Sequence, residues 1–220
     1  MEKRRIIFGT YDTAVEGPWT LTGWKFSEPE QKTEYWDIPG GHGLLDASTV
    51  LTDGEPVYNN RTLTATFECS EGTRLERESM IGTMVNWLDG WRMNITLPDD
   101  PLHYITGRVH VKRLYNDPAH ASVQVTATCD PWRYNVAETV VGLQATATEQ
   151  AHALVNAGRR AVVPTLTITG GDVLLASGGA SWALSAGVYE LPDLYLRSGS
   201  LPIRYSGTGA LLVKYREAVL

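Results

Sequence analysis

Cysteine is scarce: Cys69 and Cys129 are the only two in 220 residues. Zinc needs about four ligands at suitable spacing, and a disulfide needs an oxidising compartment that nothing here signals. Both cysteines fall on the apolar phase of alternating segments and are expected as buried free thiols. No apolar run approaches the ~20 residues of a membrane span, so no membrane insertion is expected. Positive charge is also short. Nineteen Lys and Arg against 25 Asp and Glu leave a net charge of −6, which argues against a surface built to grip nucleic-acid phosphates. The start, Met1-Glu2-Lys3-Arg4-Arg5, has a basic flank, but Ile6-Ile7-Phe8 is too short for the apolar stretch of a secretory signal. The chain is therefore expected to be made in the cytoplasm.

The constellations of catalysis are lacking too. There is no Gly-x-Ser-x-Gly elbow, and neither cysteine sits beside a base that would activate it. Asp99-Asp100 before Pro101 reads as a polar turn rather than as one half of a glycosidase carboxylate pair. Asp37, His42 and Asp46 are loop residues with nothing to fix a ligand geometry, and His42 reads as an exposed turn histidine. His103, His110, His120 and His152 are scattered. The expectation is a protein that is not an enzyme and takes no cofactor.

What the sequence does have is alternation. Leu63, Ala65, Phe67 and Cys69 share one face while Thr62, Thr64, Thr66 and Glu68 share the other. Met93, Ile95 and Leu97 repeat the pattern, as do Val123, Val125, Ala127 and Cys129, and Ile105, Val109 and Val111 keep the phase within 104–114. Each reads as a strand with one buried and one wet face, the mark of antiparallel sheets. One stretch differs. Ile81, Met84, Val85 and Leu88 fall at helical spacing, Thr73 and Glu76 match a capping box, and Gly90 suits a C-terminal stop. One helix over 73–89 is predicted, packed on an Ile81/Val85/Leu88 stripe.

Asp130-Pro131-Trp132-Arg133-Tyr134 ends the regular strands and is the best domain boundary, giving domains over 1–133 and 134–220. Beyond it, short segments cut by Gly and Pro (162–169, 173–175, 182–184, 193–196, 201–205 and 211–215) suggest a small β-sandwich. The run 149–155 looks helical. No fixed-period repeat is visible. The fold class is mainly β, in two β-sandwich-type domains, the first carrying the single packed helix.

Seven tryptophans raise the question of what they face. Trp87 and Trp91 flank the predicted helix end and read as core. Trp19, Trp24 and Trp36 are candidates for a subunit interface, where aromatic residues are enriched. Trp182, with Tyr189 and Tyr195, is the candidate sugar-facing platform. The most distinctive segment is Trp36-Asp37-Ile38-Pro39-Gly40-Gly41-His42-Gly43-Leu44-Leu45-Asp46. Pro39-Gly40 is a turn pair, and the glycines let the chain fold tightly between the apolar anchors Trp36/Ile38 and Leu44/Leu45. No Lys-Ser/Thr follows and no helix opens, so neither nucleotide-binding fingerprint fits.

This segment resembles the Pro-Gly-x-x-Gly-x-Leu-Asp turn of the distal tail protein family of siphophages. Tyr58-Asn59-Asn60-Arg61 with Leu63–Phe67, Asp99-Asp100-Pro101 with Tyr104 and Gly107-Arg108-Val109, and Asp130–Tyr134 are similar to further segments of that family. So are Val155-Asn156-Ala157-Gly158 and Pro164–Gly170, all in the family's order. The resemblance implies an N-terminal β domain that closes into a homo-hexameric ring at the virion tail tip, or baseplate. It also implies a galectin-like C-terminal sandwich. Its implied partners are the tail tube protein, the tail hub or tail-associated fibre protein and receptor-binding proteins, around a channel through which DNA passes without specific binding. Trp36, Pro39, Gly40, Gly43 and Asp46, with Arg61, are then the expected structural loop at or near the ring interface. The alternative is a carbohydrate-binding module that uses the second domain for host-surface attachment; a small β-sandwich hydrolase ranks third.

Overall fold

The computed structural model describes residues 4–52 and 54–220. Met1, Glu2 and Lys3 of the basic start lie outside the described residues. The chain divides into two compact units, Met1–Arg133 and Tyr134–Leu220. Among the described residues no helix is long and apolar enough to cross a membrane.

The first unit holds β1 (Ile7–Phe8), β2 (Tyr11–Asp12), β3 (Thr20–Phe26), β4 (Tyr35–Asp37), β5 (Leu44–Asp46), β6 (Arg61–Cys69), α1 (Arg74–Leu88), β7 (Arg92–Leu97) and β8 (Asp100–Asn116). β9 (Ala121–Asn135) runs on across the unit boundary. Apart from β4 and β5, these strands form one sheet in the order β2-β1-β7-β8-β9-β6-β3. The period-two pattern explains its central ladder. β6 and β9 pair antiparallel from Arg61↔Cys129 to Cys69↔Ala121, and Leu63, Ala65, Phe67, Val123, Val125 and Ala127 are all buried on one face. Cys69 and Cys129 are buried free thiols at opposite ends of this ladder, eight strand steps or about 27 Å apart, so no disulfide joins them. Burial pushes the Cys129 thiol up to about 12, which keeps it protonated and unreactive.

The expected strand over 104–114 is longer, and the turn before it tighter. Leu97 already pairs with Asp100, so only Pro98 and Asp99 make the turn. Gly107, inside β8, has a packing reason: a Cβ there would lie 2.6 Å from Cys129 Sγ and 3.1 Å from Thr128 O.

α1 covers the buried face of the sheet. Its capping box is complete: Glu76 N–H donates to Thr73 Oγ1 at 3.3 Å and Thr73 N–H donates to Glu76 Oε2 at 2.7 Å. The buried stripe is Arg77, Ile81, Met84 and Leu88, with Val85 only partly buried against the core. Arg77 is the surprise, an arginine at 1% exposure. Its guanidinium donates to the carbonyls of Gly72, Asp117 and Pro118 at 2.6, 2.7 and 3.1 Å, tying the helix start to the β8–β9 turn. The left-handed stop falls at Gly90, φ +79°, after an extended Asp89.

The second unit is two four-stranded antiparallel sheets around one core. β10 (Thr139–Gln144), β17 (Ala210–Tyr215), β12 (Thr165–Thr169) and β15 (Gly187–Glu190) make one sheet. β11 (Gln150–Asn156), β16 (Gly199–Gly207), β13 (Val173–Ser177) and β14 (Ala180–Leu184) make the other. Leu166, Ile168, Leu211 and Val213 of the first meet Leu154, Val173, Leu175 and Ile203 of the second in the core. Near the end of the chain, β18 (Ala218–Val219) follows Glu217, whose carbonyl accepts from Asn135 N–H at 3.0 Å. The run 149–155 is not helical. It is β11, paired along its whole length with β16, because the burial of Leu154 and Asn156 follows period two and overrides the helix propensity of its alanines. The segment 193–196 starts in a turn, where Leu194 N–H donates to Leu191 O at 2.9 Å, and joins a strand only through the Val162↔Leu196 bridge; the strand in that region is β15.

Two predictions follow from this packing. Gly107→Ala should cost about 1–3 kcal/mol by forcing Cys129 aside, read as a lower midpoint in urea unfolding; an unchanged midpoint would refute the close contact. Around α1, hydrogen bonds hold the carboxyls of Glu76 and Glu78 below the usual carboxylate range, from Thr73 and Asn116 respectively, and the amides of His120 and Ala119 do the same for Asp117. A depressed folded pKa gives stability present above the unfolded value of about 4 and lost as pH falls through the folded value. Thermal midpoints between pH 7 and pH 2.5 should therefore drop less steeply on the acid side for Glu76→Gln than for the unaltered chain.

Candidate functional site

Between β3 and β6 the chain leaves the sheet and returns, forming an arm. Its root is tied three times. Ser27 N–H donates to Thr62 O at 3.0 Å, Thr62 N–H to Ser27 Oγ at 2.8 Å, and Arg61 Nε to Ser27 O at 2.7 Å. Arg61 is 5% exposed, lies 3.7 Å over the Phe26 ring and reaches Pro131 O at 3.5 Å. Burial, then the nearby Arg133 charge, lowers its pKa. The next rung is the Gln31↔Tyr58 bridge, flanked by Lys32 N–H to Val57 O and Asn59 N–H to Glu30 O, both 2.8 Å.

Beyond the root, β4 and β5 form a hairpin that pairs Tyr35↔Asp46, Trp36↔Leu45 and Asp37↔Leu44. Pro39-Gly40 makes the expected turn: Gly41 N–H donates to Ile38 O at 2.9 Å, and Gly40 has φ +82°. Gly43 is also left-handed, at φ +73°. Asp46 closes the other end by accepting from Ser48 N–H at 2.9 Å, and the Ser48 hydroxyl and amide hold its carboxyl below the usual range. Ser48 Oγ in turn accepts from Glu34 N–H at 2.8 Å, and Trp36 Nε1 donates to Glu34 Oε1 at 3.0 Å.

The arm carries its hydrophobic side chains in the open. Every residue from Glu30 to Asp46 is exposed, among them Tyr35, Trp36, Ile38, Leu44 and Leu45, with Val50 and Leu51 following. A two-stranded hairpin is marginal by itself in water, and a contiguous apolar patch marks an interaction surface. The structure thus groups Trp36, Pro39, Gly40, Gly43 and Asp46 on one exposed hairpin and puts Arg61 at its buried root. Among the described residues no three His, Cys, Asp or Glu side chains gather as a metal site.

The tryptophans sort differently from expectation. Trp19 is core, at 2% exposure, and Trp24 is half-buried against it, while Trp87 and Trp91 are 56% and 64% exposed. At 100° per residue, Trp87 sits roughly 90° off the Ile81/Met84/Leu88 stripe, a phase the sequence already contained. With Phe8 and Met93 these two line a shallow apolar groove of about 520 Å³, a surface the sequence reading missed. Trp182 and Tyr189 pack against the second unit's core, so they form no open aromatic platform with Tyr195.

No protein-family model matches this chain, and no curated protein resembles it in sequence. A solved structure does match: SPP1 Dit (gp 19.1), described as a paradigm of hub adsorption apparatus in phages that infect Gram-positive bacteria. The likeness has a TM-score of 0.68 at 12% identity and covers 96% of this chain and 98% of that one. The two proteins share a fold.

Arg61 is the testable joint of the arm. Arg61→Ala removes charged hydrogen bonds and strands the Ser27 and Pro131 carbonyls, which should cost about 2–3 kcal/mol. It should also raise protease cleavage between residues 28 and 60 well before global unfolding. Equal cleavage in both proteins would show that the root does not hold the arm.

Proposed function

We propose that this chain is the distal tail ring subunit of a siphophage, a structural virion protein at the tail tip. Copies would close head to tail into a ring, six by likeness to the distal tail family. That ring would join the tail tube protein to the hub or fibre proteins around the DNA channel and carry receptor-binding proteins outward. The observation that carries this reading is the fold shared with SPP1 Dit along nearly the whole of both chains. The five family-like segments, met in order along the sequence, point the same way.

The first unit supplies a means of assembly. A ring of identical chains needs a heterologous contact, one patch meeting a different patch on the next copy. The arm and the Trp87/Trp91 groove are two unlike apolar surfaces on one unit, as such a contact requires. The wet side of the β6–β9 ladder carries no positive charge: Thr62, Thr64, Thr66, Gln124, Thr126 and Thr128 offer hydroxyls and an amide, and Glu68 adds one acid at its end. A wall of that kind lets a polyanion pass without holding its phosphates.

Native mass spectrometry and negative-stain imaging test the reading, with the protein alone at high concentration and with tail tube protein as template. A six-chain mass and a ring with a central hole are expected. Trp36→Asp with Leu44→Asp should leave monomers of nearly unchanged stability, since exposed positions shift folding by about 0.5 kcal/mol or less. A strict monomer under both conditions would sink the ring; a ring that survives the double substitution would remove the arm from its interface.

A further inference from the structure

The arm and the Trp87/Trp91 groove belong to opposite edges of one sheet. β2 and β3 are its edge strands, six strand spacings or roughly 29 Å apart along the sheet. The arm joins β3 to β6. The groove is built on Phe8, Gly9 and Thr10 at the β1–β2 turn, on Trp91, Arg92 and Met93 at the start of β7, and on the end of α1. The two nevertheless share a level. Arg61 at the arm's root opposes Cys129, Gly107 packs on Cys129, and Gly107 opposes Met93 of the groove. One row across the sheet thus runs from the root of the arm to the groove.

Within one chain the two do not meet, because every residue from Glu30 to Asp46 is exposed. The hairpin presents its side chains in pairs. Trp36 and Leu45 are directly opposed and point to one side. Tyr35 with Asp46, and Asp37 with Leu44, point to the other. The first side is apolar except for Glu34, which alternation puts beside Trp36 and whose Oε1 accepts from the indole at 3.0 Å. The groove matches that side in kind. Trp87, Trp91 and Met93 supply aromatic and thioether walls, and Arg92 is the one charged side chain in its lining. Arg92 Nη2 donates to Asp130 Oδ2 at 2.6 Å, and Arg108 stands opposite Arg92 across β7 and β8. Two guanidiniums beside one carboxylate leave that rim positive, opposite in sign to Glu34.

We propose that the groove of one copy receives the arm of the next, with Trp36 and Leu45 against Trp87 and Trp91 and with Glu34 facing Arg92. The assignment rests on the ring reading and names the contact that closes it. Tryptophan, methionine and arginine are the residue types enriched where protein interfaces are most buried, and the charges on the two surfaces are complementary. The occupant is a second copy because arm and groove lie at one level on opposite edges of the same sheet. Copies set side by side therefore bring arm to groove in a single repeated contact. Once such a ring closes, no arm and no groove is left over.

Two single variants of the full chain, Leu45→Cys and Asn86→Cys, test the contact with a short bismaleimide at high protein concentration, alone and with tail tube protein. Cys69 and Cys129 are buried and stay silent. The two variants mixed should give a crosslinked dimer, and either alone should give none. A chain carrying both substitutions should give a ladder that rises to the mass of the ring. Trp87→Ala with Trp91→Ala, at two exposed positions, should abolish the ring with Tm unchanged. A ring without the crosslink between residues 45 and 86, or one that survives the tryptophan substitutions, would overturn the docking while the ring reading stands. A ring that survives them but loses its hold on tail tube protein would give the groove to that partner instead. A chain that is monomeric under every condition would remove the ring reading and this contact with it.

Discussion

The register between β6 and β9 is the constraint on which the first unit rests. Nine consecutive pairs, from Arg61↔Cys129 to Cys69↔Ala121, put every apolar side chain of the ladder on the face that α1 covers. A slip of one residue would turn Phe67 and Val125 into water and bury threonines instead. The alternation of both strands therefore permits one alignment. Its first pair also sets where the arm begins: Arg61 opposes Cys129 at the end of the ladder, and from there its guanidinium reaches Ser27 on the outgoing strand. The root of the arm is thus built from the last rung of the core.

That coupling separates two kinds of stability. The sheet is held by burial; the hairpin beyond Glu30 is held by its own hydrogen bonds, the Pro39-Gly40 turn and the Asp46–Ser48–Glu34 chain. Such a hairpin keeps its shape locally while contributing little to the folding of the unit. Arg61 marks the point where the one kind of stability gives way to the other. Elements that bind tend to come from the low-stability end of a fold, and here the division falls at one residue.

Much of this was legible in the sequence, and the failures have physical causes. The strands that bury one face were readable because period two is enforced by the core, and the capping box named the helix start. Trp87 and Trp91 were misread because bulk was taken for burial, whereas helical phase turns Trp87 away from the stripe. Residues 149–155 read as helix since Glu149, Gln150, Ala151, Ala153 and Leu154 are all good helix formers, and the pairing partner that decides the matter, β16, lies some 50 residues on. β15 was missed because Gly187–Glu190 is too short to show a period. The arm's turn was visible from Pro39-Gly40, but its exposure was not: Trp36, Leu44 and Leu45 would look the same in a core.

An exposed apolar hairpin poses a problem before any partner is present, since open strand edges pair with one another and aggregate. The arm answers it with charge. Glu28, Glu30, Glu34, Asp37 and Asp46 flank or interrupt its hydrophobic residues, against Lys32 alone among the described residues of the arm. Two arms approaching edge to edge would therefore bring like charges together, while an arm laid on a neutral or basic surface would not. Asp46 does double duty, because its carboxylate is spent on Ser48 and remains ionised to lower pH than an ordinary one. The acids that discourage arm–arm pairing leave the arm's hydrophobic residues available for an unlike surface. That is the selectivity a heterologous contact demands. The chain's negative balance, read first as a reason not to bind nucleic acid, is in part what sets an exposed apolar hairpin against pairing with its own kind.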